Sequence, residues 1–149
     1  MKHAVLGAGA IGGLMATALS SLGEDVTLIV RADKLAEHPQ TLSLEHPSGT
    51  ITAPAKIVAR LTEPVDVLWI ATKTYQLEAA LAAVEAVPGI IVPLLNGVDH
   101  VAVLRARFGD DRVVPATIAV EAERSAHGRF PLDEPDLYQA TEALASQRR

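Results

Sequence analysis

The chain of 149 residues lacks cysteine altogether, has few aromatic residues and contains no long hydrophobic run. Without cysteine, disulfides and thiolate chemistry are excluded. The apolar runs are much shorter than the roughly 20 residues of a membrane helix, so we expect no membrane partner. The net charge of −5 and the lack of a basic stripe with interleaved aromatics disfavour a nucleic-acid partner.

Metal and hydrolase motifs are also missing. The five histidines lack a paired ligand spacing such as H-E-x-x-H, and no G-x-S-x-G nucleophile elbow occurs, so we expect no metal site. The length and a hydrophobic fraction of 49% are typical of one globular domain with a real core. We expect that domain to span residues 1–130 and to be followed by a polar tail or single helix over residues 131–149.

The most informative segment is Gly7-Ala-Gly9-Ala-Ile-Gly12, which lies between the apolar run His3–Leu6 and the helix-like stretch Gly13–Leu22. In this context the first glycine allows a tight turn, the second lets the backbone approach a diphosphate, and the third permits close helix–strand packing. The helix start would offer unpaired N–H groups to the anion. The alternative is a β–α turn without a ligand.

The same segment loosely resembles a secretory signal, with a charged start and a small-residue site ending at Ser20. Three glycines at dinucleotide spacing argue against export, and so does the strand-like run Glu24–Val30 that follows. We therefore expect a cytoplasmic protein.

Strand and helix patterns alternate along the chain and predict an α/β fold, a Rossmann-type doubly wound and mostly parallel sheet in a single domain. The predicted strands are residues 2–6, 25–30, 65–71, 90–95 and 113–120, with an antiparallel hairpin formed by 41–45 and 50–58 and interrupted by Pro54. Helices are predicted at residues 10–22, 32–37, 75–86 and 98–108.

Polar residues follow three of these strands, at the edge where doubly wound sheets bind ligands. Arg31 ends the second strand, 24 positions after Gly7 (31 − 7), where a guanidinium would pair with the 2′-phosphate of NADP. Asp33 would oppose that assignment if it faced the ribose instead. Lys73 would hold an anionic substrate or stabilise charge on a carbonyl oxygen, and Asn96 would offer an amide to ribose or substrate. Each of these residues has the alternative of being an ordinary solvated loop side chain.

Taken together, these residues resemble the pattern of the ketopantoate reductase family, the 2-dehydropantoate 2-reductases, over about residues 1–130. The resemblance rests on an ordered set: Gly7–Gly13, Arg31, Ala71-Thr-Lys73-Thr-Tyr-Gln76, Leu95-Asn-Gly97, and Val120-Glu-Ala-Glu-Arg124 leading to Gly128. It implies an N-terminal domain that binds NADPH, whose hydride reduces the ketone of ketopantoate to pantoate on the route to pantothenate.

The resemblance also implies a role for each matching residue. Arg31 would bind the 2′-phosphate, Lys73 would lie beside the nicotinamide ribose, and Asn96 would touch both cofactor and substrate. Lys73 and Asn96 would thus be the catalytic residues. Ala122 would contact the cofactor through its backbone. The diphosphate would be held by Gly7, Gly9, Ala10, Ile11 and Gly12.

Family members continue into a helical C-terminal domain that supplies the general-acid lysine and most substrate contacts, whereas residues 131–149 do not resemble that continuation. We therefore expect cofactor binding with poor turnover of the 2-keto acid substrate unless another chain completes the site. The surface that packs on that domain in the family would favour self-association as a homo-oligomer. A fragment of a different NAD(P)-dependent dehydrogenase and a non-enzymatic dinucleotide-binding module are the alternatives.

Overall fold

The computed structural model describes residues 1–120, 124 and 128–131. Its strands are β1 Lys2–Leu6, β2 Asp25–Ile29, β3 Thr41–His46, β4 Gly49–Pro54, β5 Lys56–Val58, β6 Val67–Ile70, β7 Ile90–Pro93 and β8 Arg129–Pro131. Its α-helices are α1 Ala10–Ser21, α2 Leu77–Leu81 and α3 Asp99–Phe108. Short 3₁₀ helices occupy Ala32–Glu37, Thr74–Gln76 and Asp110–Arg112.

The larger sheet has the order β5-β2-β1-β6-β7, and all of its strands run parallel. One row of residues crosses it near the carboxyl ends of the strands. Leu6 lies between Ile29 of β2 and Ile70 of β6, and Ile70 in turn lies opposite Pro93 of β7. Residues that follow this row share one edge of the sheet.

Both faces of this sheet are covered, because successive side chains of a strand point to opposite faces. In β1, Ala4 and Leu6 belong to a core cluster with Leu81 of α2 and Leu104 of α3, whereas Val5 belongs to a second cluster with α1 and the smaller sheet. This arrangement confirms the Rossmann-type doubly wound fold in a single domain.

The smaller sheet has the order β4-β3-β8. Strands β3 and β4 form the predicted antiparallel hairpin, but the second strand does not continue to residue 58 as expected. After Pro54 the chain passes to the larger sheet, where β5 pairs in parallel with β2. Because proline cannot donate a backbone hydrogen bond, Pro54 is a natural end for a ladder strand.

The predicted helix over residues 75–86 is wrong in extent, since α2 ends at Leu81. The reason is a competing backbone partner. Leu61 donates to the carbonyl of Ala83 at 2.8 Å and accepts from the N–H groups of Glu85 and Ala86 at 3.0 Å each. These bonds hold the segment in an extended bridge beside Leu61, so the helix propensity of its alanines does not decide its conformation.

The predicted strand over residues 113–120 is reduced to one bridge between Val113 and Ile91, with Val114 donating to the Ile91 carbonyl at 2.9 Å. Residues 114–120 form no regular element. Pro93 is the last residue of β7 and lies opposite Ile70 of β6. A proline is tolerated there because the other side of β7 carries only the Val113–Ile91 bridge.

No helix among the described residues is long and apolar enough to cross a membrane. The predicted tail or helix over residues 131–149 lies, apart from residue 131, outside the described residues.

Candidate functional site

The glycine-rich turn begins directly after β1. Gly7 adopts φ +103°, a left-handed backbone conformation that residues other than glycine rarely adopt. Its N–H donates to the Ile29 carbonyl at 3.1 Å. A Cβ on Gly7 would also lie 3.0 Å from the Ala71 carbonyl oxygen and 3.0 Å from the Thr72 methyl. The turn is therefore held against both β2 and the end of β6.

Close packing of α1 on this turn depends on Gly12. A Cβ at that position would lie 1.8 Å from the Gly7 carbonyl oxygen, a distance that no real contact permits. The first turn of α1 therefore sits directly on the backbone of Gly7, as the predicted role of the third glycine requires.

Gly9 differs from the other two glycines of the motif because the space that a side chain would occupy there is open. A Cβ there would meet nothing within 4 Å, and its φ of −75° is accessible to any residue. Gly9 also precedes α1 without a side-chain cap, and no acidic residue lies in the first turn. The N–H groups at the start of a helix lack intrahelical acceptors, so the start of α1 directly after Gly9 offers donors and the positive end of the helix dipole.

Thr72 adds a polar atom beside the same turn. Its hydroxyl oxygen is buried and has no hydrogen-bond partner among the described residues, while its methyl packs against Gly7. A buried hydroxyl without a partner is costly, which is common at sites that receive a ligand. Thr72 lies within the Ala71–Gln76 motif of the family resemblance, but a lone threonine between a strand and a lysine carries no specific signal of a ligand.

The predicted site residues meet at one edge of the larger sheet. Gly7 directly follows Leu6, Arg31 follows Ile29 by two residues, and Lys73 and Asn96 each lie three residues beyond their strand partners Ile70 and Pro93. The carboxyl ends of four neighbouring parallel strands thus carry them in the spatial order Arg31, Gly7, Lys73, Asn96.

Arg31 is engaged by Asp33 rather than free. Its Nε donates to Asp33 Oδ1 at 3.0 Å and its Nη2 donates to Asp33 Oδ2, so the carboxylate occupies the Nε–Nη2 edge of the guanidinium. The hydrogen bonds from Arg31 lower the pKa of the Asp33 carboxyl, and those to Asp33 raise the pKa of Arg31. Both side chains are largely exposed, at 69% and 58%.

Lys73 and Asn96 are both exposed at the mouths of their strands. Lys73 precedes the short helix Thr74–Gln76, and Asn96 precedes Gly97, whose φ of +84° turns the chain toward α3. Neither side chain is buried in the core, so both remain accessible to a molecule lying along this edge.

Arg124 contacts the glycine-rich turn from a distant part of the chain. Its Nη1 donates to the Ala8 carbonyl at 3.4 Å, which brings a positive charge to the turn. The Glu-Ala-Glu-Arg124 motif supported the family resemblance, but no role was assigned to Arg124 itself. The predicted contact of Ala122 lies outside the described residues.

Two other features lie apart from this edge. A cleft of about 290 Å³ is lined by Lys2, Asp25 and Lys56, which start their strands, and by Arg60. Within the described part of the chain, no group of three or more histidine and carboxylate side chains is placed to hold a metal ion.

Comparison with known proteins identifies the family of the chain. The sequence pattern of the family described as "Ketopantoate reductase PanE/ApbA" matches residues 3–141. The chain belongs to this family. A curated relative, the 2-dehydropantoate 2-reductase of Caulobacter vibrioides, is 36% identical over 133 residues, which is 85% of this chain and 44% of the relative. The chain therefore spans less than half of that relative's length.

Solved structures share the fold. A 2-dehydropantoate 2-reductase from Geobacter metallireducens superposes with a TM-score of 0.76 at 24% identity, over 98% of this chain and 54% of the other. A D-mandelate dehydrogenase in a ternary structure with NADH and anilino(oxo)acetate gives a TM-score of 0.77 at 24% identity, over 99% of this chain and 52% of the other.

Proposed function

We propose that this chain binds NADPH and forms the cofactor-binding part of an enzyme that reduces a 2-keto acid, namely ketopantoate to pantoate. The observation that carries the proposal is the open space at Gly9, bordered by the start of α1. An open space beside the start of a helix suits a diphosphate, which needs backbone N–H donors and the absence of side chains. Membership of the ketopantoate reductase family supports the choice of substrate.

Each group of proposed binding residues would contact a different part of the cofactor. The glycine-rich turn and the first turn of α1 would receive the diphosphate, with Thr72 and Arg124 as additional polar groups at its rim. Arg31 would pair with the 2′-phosphate, for which a guanidinium fork is well suited. The backbone of Ala122 is retained as a proposed contact. The residues of the turn are Gly7, Gly9, Ala10, Ile11 and Gly12.

NADPH, when bound, supplies the hydride that reduces the ketone. The Lys73 ammonium would stabilise the negative charge that develops on the carbonyl oxygen, and the Asn96 amide would orient the substrate and the nicotinamide ribose. A proton must also reach that oxygen. In the family resemblance the donor is a lysine of the helical C-terminal domain, so we expect poor turnover by residues 1–149 alone.

We further propose a cytoplasmic location. We also propose self-association through the apolar residues at the carboxyl edge of the larger sheet. Tyr75 and Val98, which follow β6 and β7, are 83% and 76% exposed. Removing such surface from water favours contact between copies. Light scattering over a concentration series tests this, with a monomer at all concentrations as the contrary result.

An alternative is a dehydrogenase that uses NADH on another 2-keto acid. It is favoured by Asp33, a carboxylate at the strand end where NAD-binding proteins hold the ribose hydroxyl. A non-enzymatic dinucleotide-binding module is the second alternative, and it would bind cofactor without supporting reduction when a completing domain is supplied.

Calorimetric titration with NADPH and NADH tests the proposal. The wild-type chain should bind NADPH more tightly, and Arg31→Ala should weaken NADPH binding about tenfold with a smaller effect on NADH. Arg60→Ala is the matched control, since Arg60 is similarly exposed and paired with Glu85 but lines the separate cleft. Failure of both cofactors to bind would refute the proposal, and equal losses for both would refute the role of Arg31.

A further inference from the structure

The Arg31–Asp33 ion pair has a geometry that bears on cofactor choice. Both residues lie just beyond the carboxyl end of β2, with Arg31 preceding the short helix Ala32–Glu37 and Asp33 in its first turn. The carboxylate accepts from Nε and from Nη2, which form one edge of the guanidinium. That edge is the one commonly offered to a carboxylate or phosphate group in two-point recognition.

A 2′-phosphate at Arg31 would therefore compete with Asp33. For two-point pairing through the same Nε–Nη2 edge the phosphate must displace the carboxylate, and it carries a charge of the same sign. Asp33 is ionised at neutral pH, since its hydrogen bonds with Arg31 lower its pKa below the ordinary value of 3.8. A ribose 2′-hydroxyl has the opposite relation to this residue, because it donates to a carboxylate without electrostatic repulsion.

We propose that Asp33 is a specificity-determining residue that competes for Arg31 and thereby limits the preference for NADPH, so that the chain also accepts NADH. This inference rests on the proposed cofactor site. In the NADPH complex Arg31 turns from Asp33 to the 2′-phosphate, whereas in the NADH complex the pair persists and the free lone pairs of Asp33 accept from the 2′-hydroxyl.

Exposure sets the size of the effect. The side chains of the pair are 69% and 58% exposed, so water and salt screen their attraction. An exposed pair of this kind changes an equilibrium by about two- to fivefold. Asp33 is therefore expected to adjust the ratio of the two affinities without abolishing binding of either cofactor.

The test compares Asp33→Asn with a matched control, Glu37→Gln. Glu37 lies on the same short helix, is comparably exposed and pairs with Lys34. It also attracts Arg31 electrostatically but does not occupy the guanidinium edge, so its replacement measures the effect of removing a nearby charge alone. In Asp33→Asn, NADPH affinity should rise about two- to fivefold and NADH affinity should fall by a similar factor. In Glu37→Gln, the ratio of the two affinities should shift less than in Asp33→Asn, because only the weaker electrostatic interaction with Arg31 is removed.

Two smaller probes locate the effect at the ribose. Adenosine 2′,5′-bisphosphate carries the 2′-phosphate without the nicotinamide, and 5′-AMP lacks that phosphate. Only the former should bind Asp33→Asn more tightly than wild type. An unchanged NADPH/NADH ratio in Asp33→Asn, or an equal change in Glu37→Gln, would overturn the inference while leaving the cofactor site intact. Absence of all binding to the wild-type chain would instead refute the proposed function.

Discussion

Gly9 and Gly12 are both in the glycine-rich turn, yet replacement with alanine should lower stability at Gly12 and cofactor affinity at Gly9. The Gly12 Cβ would lie 1.8 Å from the Gly7 carbonyl oxygen, whereas contacts below 3.0 Å are essentially never seen. The start of α1 would have to move away from the turn by about 1.2 Å, the difference of these distances, in a closely packed region. We expect Gly12→Ala to lower the free energy of unfolding by about 3 kcal/mol.

Gly9→Ala should instead leave the fold intact. Its Cβ would meet no atom within 4 Å, and the backbone conformation suits alanine. The loss of a preferred residue at the helix start costs at most about 1 kcal/mol. The new methyl group would, however, fill the space proposed for the diphosphate, so NADPH affinity should fall at least about tenfold.

Thermal unfolding and calorimetric titration separate the two variants. Gly12→Ala should melt roughly 9 °C lower, at about 3 °C per kcal/mol for a domain of this size. Gly9→Ala should melt near the wild-type temperature and yet bind NADPH poorly. If Gly9→Ala bound NADPH as tightly as wild type, the open space would not be the diphosphate site. A wild-type melting temperature for Gly12→Ala would show that the close approach of α1 to Gly7 is wrong.

Two further predictions concern stability. His3 is buried, which lowers its pKa from 6.5, so the unfolded state binds more protons and stability falls as pH drops from 6.5 through the folded pKa. In urea unfolding, His3→Gln should reduce the dependence of the free energy of unfolding on pH. Trp69 donates to His3 Nδ1 at 3.1 Å, so its fluorescence should no longer respond to pH in this variant. An unchanged pH dependence of stability would contradict the role given to His3. Leu68 is fully buried in β6, so Leu68→Ala should cost about 2–5 kcal/mol. Tyr75→Ala, at an 83% exposed position, should change stability by less than about 0.5 kcal/mol, and similar losses in both would refute the core assignment.

Local patterns predicted the first β–α–β unit well. The strand Lys2–Leu6 has the predicted bounds, and α1 differs from the predicted helix by one residue. Here the apolar periodicity, the glycine positions and the final packing favour the same structure. The carboxyl-edge positions of Arg31, Lys73 and Asn96 also followed from strand order alone, because parallel strands end at one edge.

The errors arose where distant residues decide the backbone conformation. Leu61 takes the hydrogen bonds of Ala83, Glu85 and Ala86, and nothing in the alanine-rich sequence shows that this partner will be present. The Arg31–Asp33 pair could be suspected from the sequence, but its two-point geometry depends on rotamers. The contact of Arg124 with Ala8 joins residues 116 positions apart, which no local pattern reports.

The pairing of β8 with β3 has a consequence for synthesis on the ribosome. Residues 129–131 complete the smaller sheet beside Ser43, Leu44 and Glu45, and the Ser43 N–H donates to the Gly128 carbonyl at 2.7 Å. A nascent chain therefore carries the β3–β4 hairpin with the β3 edge uncovered until some 80 further residues have emerged, an interval of roughly 4–16 s at typical elongation rates. During that time the hairpin edge is open to pairing with neighbouring chains, so crowded translation of this message should favour co-translational aggregation.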